Sequence, residues 1–211
     1  MSRGRSGRPP TRRRSKAALL PELLLFVEGA RTEEGYFVYW SRLHRRTVRV
    51  TIDEFHGSPM SLVDRAIAKK KLELREQKRS AGRPYDEIWC VFDVDDHADL
   101  QGAIGRADQH GIKVAVSHPC IELWFILHFE DQTAYIERQH AQSRSKTLLG
   151  CKKLLTEQAL LELAGRHEEA ARRAKKLDRK HEGDGSPPRS NPSSEVWQVV
   201  EQIKHPPNVV S

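Results

Sequence analysis

The chain has 211 residues, 37% hydrophobic and 31% charged, enough for one α/β core with a helical appendage or for two very small domains. No apolar run approaches the roughly 18 residues of a membrane span, and the basic start lacks the apolar stretch of a signal peptide, so a cytoplasmic protein without membrane contact is expected. The net charge of +7 invites a nucleic-acid partner, but seven of the cations, Arg3 to Lys16, precede the first acid, Glu22; the remainder has 29 basic and 29 acidic residues.

Residues 1–21 read as a disordered basic tail that either grips phosphates non-specifically or merely solubilises. The apolar run Leu23–Val27 then suits a strand covered on both faces, ending at Glu28-Gly29. Tyr36, Phe37, Trp40 and Leu43 recur at helical spacing, with Thr32 as the N-cap. Val48, Val50 and Ile52 alternate as a second strand. Ser58-Pro59 opens a long helix with Leu62, Val63, Ala66, Ile67 and Leu74 as its buried stripe and Lys69–Lys71 in solvent. After the break at Gly82-Arg83-Pro84, Glu87–Phe92 forms an apolar strand that runs into Asp93-Val94-Asp95-Asp96-His97.

A helix carrying Leu100, Ala103, Ile104 and Ala107 stops at Gly111. Ile112–Val116 makes a fourth strand, and Cys120 to Phe129 a buried helix after Pro119. Strand–helix alternation over residues 22–130 gives a parallel sheet with right-handed crossovers. Strand signals then cease, and residues 131–205 read as a helical C-terminal extension packed on that core: helices over Leu148–Ala164 and Glu168–His181, a loop over Gly183–Ser194, and a last helix over Glu195–Ile203. Cys90, Cys120 and Cys151 are too scattered for a disulfide framework or zinc ribbon and read as buried or incidental thiols.

The chemistry gathers at two strand ends. Open α/β sheets bind ligands beyond the carboxyl ends of their strands, where Glu28 and the pair Asp93/Asp95 sit. Alternation puts Asp93 and Asp95 on one side, with Val94 facing away. If the two strands are neighbours, three carboxylates converge, and a hard cation such as Mg²⁺ relieves their repulsion. Gly29 would allow a tight turn and close approach of a phosphate. No P-loop, calcium loop or G-x-S-x-G is present.

These residues carry a resemblance. Leu-Leu-Leu-Phe-Val-Glu-Gly at 23–29 and Trp-Cys-Val-Phe-Asp-Val-Asp-Asp at 89–96 look like the Toprim pattern. More specifically, the blocks at 27–37, 92–97 and 117–129, with Asn191-Pro192-Ser193-Ser194, resemble the RloB family of bacterial phage-resistance (abortive infection) proteins over about 22–203. His118 and Ile121 are mild departures from the family pattern, and a further basic site residue is sought around Lys146–Lys153.

The resemblance implies a Toprim-like parallel-sheet core flanked by helices and a metal-dependent nuclease acting on DNA or RNA in anti-phage defence. Asp93 and Asp95 hold Mg²⁺ (or Mn²⁺), Asp96 extends the metal set, and Glu28 binds metal or acts as general base. Gly29, Glu33, His97 and Glu122 are secondary candidates; Glu33 and Glu34 also read as first-turn acids favoured by the helix dipole. His128 and Trp124 read as core. Arg172, Arg173, Lys175 and Lys176 would track a nucleic-acid backbone, or form a solvated face among Glu168, Glu169 and Asp178. Family members are thought to occur beside an ATPase, which would make an ATPase a partner. Competing readings are a non-catalytic or partner-activated binding module and, with less support, a phosphatase using Asp93 as nucleophile.

Overall fold

Residues 23–27 alternate between two buried environments, so this strand is covered on both faces. The computed structural model describes residues 19–79, 82–94, 99–151 and 154–206; the basic tail through residue 18 and Asp95, Asp96 and His97 lie outside them. The chain runs β1 (Glu22–Val27), α1 (Thr32–His44), β2 (Arg49–Ile52), α2 (Pro59–Lys78), β3 (Glu87–Asp93), α3 (Leu100–Gln109) and β4 (Lys113–His118). It continues through α4 (Ile121–Leu127), α5 (Arg138–Leu149), α6 (Glu157–Gly183), β5 (Ser193–Ser194) and α7 (Val196–Lys204). Among the described residues, no helix is long and apolar enough to cross a membrane.

The sheet order is β2-β1-β3-β4-β5. The first four strands are parallel, and β5 pairs antiparallel with the end of β4. Leu24, Phe26, Ile88, Cys90, Phe92, Val114 and Val116 face α2 and α3. Leu23, Leu25, Val27, Trp89, Val91 and Ala115 face the other way and share one apolar cluster with α1 and α4 to α7. Each buried Leu, Val or Phe contributes about 1.5–3 kcal/mol, so both faces of β1 and β3 are strongly specified. The helix after β1 packs on one face and the helices after β2 and β3 on the other, so the crevice between β1 and β3 is the topological switch point.

Several elements differ from the sequence expectations. The stretch Leu148–Ala164 is not one helix: α5 ends at Leu149, and Gly150 takes φ 64°, a left-handed cap natural to glycine. The helix expected over Glu168–His181 instead belongs to α6, which begins at Glu157 and is capped by the Thr156 hydroxyl accepting from the Ala159 N–H. Thr32 is the first residue of α1 rather than its cap. Leu74, expected in the buried stripe of its helix, is exposed, as is Leu43, which shares the helical spacing of Tyr36, Phe37 and Trp40. Lys70 donates to the carbonyls of His110 and Gly111 at 2.7 and 2.9 Å, closing the end of α3 rather than simply facing solvent. The loop expected through Ser194 ends in β5.

Candidate active site at the switch point

The register that packs β1 against β3 also juxtaposes their ends. Val27 lies opposite Val91, so Glu28 and Asp93 emerge from adjacent strands at the sheet's carboxyl edge. They are joined directly: the Asp93 N–H donates to Glu28 Oε2 at 3.2 Å, and the Glu28 N–H to the Val91 carbonyl at 3.2 Å. The condition under which the strand-end acids converge, that the strands be neighbours, is therefore met for Glu28 and Asp93.

Alternation places Asp93 at the end of the row facing α1 and α4, where it is 5% exposed. Three chain segments close over it. The first turn of α1 brings Glu33, the first turn of α4 brings Glu122, and the first residue of α5 is Arg138, whose Nη2 lies 3.3 Å from Asp93 Oδ2. With Gly29, Thr32 and Gln142 these groups line a cavity of about 330 Å³.

Burial pushes the Asp93 carboxyl well above the usual range; Glu33 pushes the same way, Arg138 opposes, and Glu122 and Glu28 add smaller upward contributions. Burial also raises Glu33, opposed by its own backbone hydrogen bond and reinforced by Glu122 and Glu28. Crowded, partly desolvated carboxylates of this kind mark functional sites. Their hard oxygen donors fit Mg²⁺ or Mn²⁺, with Asp93, Glu28, Glu33 and Glu122 as the available holders.

Gly29 has a different use from the tight turn expected of it. Its φ is not left-handed. A Cβ there would lie 2.0 Å from Glu33 Oε2, so any side chain at 29 displaces that carboxylate. The glycine leaves room for Glu33.

The basic run lies elsewhere. Arg173 donates to the Leu127 carbonyl at 2.7 Å, at the far end of α4 from Glu122, and lies 3.3 Å from Asp131. Lys176 pairs with Asp131, Arg172 with Glu169, and Lys175 sits 4.3 Å over the Trp197 ring. These cations are not brought to the acid cleft. Trp124 is buried and donates to the Tyr36 hydroxyl at 2.8 Å, and His128 is buried against the Trp124 carbonyl, so both serve the core. Cys90 and Cys120 are buried free thiols, and Cys151 is half-buried.

The family model for the RloB-like protein matches residues 23–203. The chain belongs to the RloB-like family. No curated protein and no solved structure matches it. The RloB-like match spans both the sheet and the helices after it, including the Asn191 block. There the Asn191 Oδ1 accepts from the Ile136 N–H at 3.0 Å, and its Nδ2 donates to the Ile136 carbonyl at 2.9 Å. This clamp sits two residues before Arg138.

Around the clamp, Ser117 and Ser194 hydroxyls meet at 3.0 Å, and the Val116 N–H donates to Glu195 Oε2 at 3.0 Å. The Arg189 carbonyl lies 2.8 Å from His118 Nδ1. The Asn191 block carries no assignable role in the sequence alone, and Arg138 and Gln142 give no signal there because they lie in a polar helix with no pattern of their own. Among the described residues, no three of the acids around Asp93 gather ligand atoms within 4.8 Å of one another, whereas the set formed by His167, Glu168 and Glu201 does. Lys204 Nζ already fills it, 3.1 Å from His167 Nε2.

Proposed function

We propose that the chain is a Toprim-like, Mg²⁺- or Mn²⁺-dependent nuclease that hydrolyses phosphodiesters of DNA or RNA in anti-phage defence, with an ATPase as its partner. The observation that carries this reading is the placement of Glu28 and Asp93 on adjacent parallel strands at the switch point, with Asp93 in one cavity with Glu33, Glu122 and Arg138. The defence role and the ATPase rest on the family likeness alone.

Asp93 and Glu28 are the residues that would hold the metal, supported by Glu33 and Glu122 and joined by Asp95 and Asp96 from the adjoining segment. When bound, the metal supplies charge neutralisation at the phosphoryl oxygens and a more acidic water. Arg138, whose Nη2 lies 3.3 Å from Asp93 Oδ2, is a cation at the cleft that would orient an entering phosphate. Glu28 sits at the sheet edge, where it either binds metal or takes the proton from the attacking water. The test is cleavage of a DNA and RNA panel with Mg²⁺ or Mn²⁺, wild type against Glu28→Ala: the wild type cuts and the variant does not. Cleavage retained by Glu28→Ala sinks the mechanism.

A further inference from the structure

A second pocket of about 210 Å³ adjoins the acid cavity and shares Thr32, Glu122 and Gln142 with it. Its remaining walls come from Phe125, Leu155 and Cys151, with Ser145 and Lys146 along one side. Pockets for drug-sized ligands run to about 300–1,000 Å³, so this one suits a single ring system. An aliphatic occupant would match the walls but strand the polar groups. Ser145 is buried, at 4% exposed, and lines the pocket beside Gln142 and Lys146. A ligand with an apolar face and a polar edge would match both the walls and these groups.

We propose that this pocket receives one unpaired nucleobase of the substrate, stacked on the apolar wall, with its polar edge toward Ser145, Gln142 and Lys146. The proposal rests on the acid cavity being the phosphodiester site, because the shared wall ties the base to a phosphate held there. A base inside the pocket is not stacked or paired in a duplex. The substrate class is therefore a single strand, or a duplex opened at one nucleotide.

The experiment titrates the full chain, in Mg²⁺, with adenosine, ribose 5-phosphate and adenosine 5′-monophosphate, and with a 12-nucleotide single strand and its duplex. Base stacking predicts that the monophosphate binds at least about tenfold tighter than ribose 5-phosphate, and the single strand tighter than the duplex. Cys151→Phe fills the pocket from a half-buried position, and Gln142→Trp fills it from an exposed helical one; each should shrink the base-dependent difference to within twofold. Circular dichroism establishes which of the two is folded.

Equal binding of monophosphate and ribose 5-phosphate overturns the proposal. So does a base-dependent difference that survives in a folded filled variant, or a duplex that binds as tightly as the single strand. Adenosine binding that is lost in the filled variants, with no binding of ribose 5-phosphate, supports the base pocket and overturns the phosphodiester reading of its neighbour.

Discussion

Asn191→Ala isolates the device that holds Arg138 in place. The side chain makes two hydrogen bonds to one residue, at 3.0 and 2.9 Å, and Ile136 is 8% exposed. Each bond contributes about 1 kcal/mol net, and leaving a buried N–H or carbonyl unmatched costs about 1–3 kcal/mol. Some water reaches the vacated space, so the loss should fall near 2–4 kcal/mol in all. For a domain of this length that lowers Tm by about 4–16 °C. Urea denaturation gives the free energy directly, and Ser190→Ala is the control, removing only an exposed hydroxyl bond to the Pro187 carbonyl. A loss below about 0.5 kcal/mol for Asn191→Ala, no larger than the control, would refute the clamp.

Other consequences follow from single contacts. Tyr36→Phe leaves the buried Trp124 indole N–H without its acceptor and should cost about 1–3 kcal/mol by chemical denaturation. Burial holds the His128 imidazole down to about 3, against an unfolded value near 6.5. Its contribution is complete above about pH 6.5 and is lost as pH falls toward 3, at up to about 1.4 kcal/mol per pH unit, so His128→Phe should flatten that part of the stability–pH curve. Asp93→Asn removes a carboxylate whose charged form is disfavoured, so it should raise Tm in chelator and abolish any rise on adding Mg²⁺.

The sheet was legible because its apolar runs are short, dense and punctuated. Leu23–Val27 and Glu87–Phe92 each end at acids, and that alone placed Glu28 and Asp93 at strand ends. Their adjacency needed the strand order, which no local pattern states. The helical half was harder: leucines at 148, 149, 154, 155, 160, 161 and 163 keep helical spacing across Gly150, but the glycine's left-handed φ ends the first helix and the Thr156 cap opens the second. Arg138 was invisible for another reason. It meets Asp93 across 45 residues and is positioned by Asn191, a further 53 along, so its role exists only in the folded chain. Gly29 was legible as special, but its reason, room for the Glu33 carboxylate, was not.

Metal-dependent phosphodiester hydrolysis at the cleft around Asp93 is the activity proposed for this chain. It is tested most directly by the rate of strand cleavage as Mn²⁺ is titrated into wild-type and Asp93→Asn protein from a chelated start. The proposed chemistry requires no cleavage in chelator, a saturable rise for the wild type, and at least a hundredfold lower rate for the variant at every concentration, the loss expected when a main metal holder goes. Cleavage in chelator, or an Asp93→Asn titration that overlays the wild type, would contradict it.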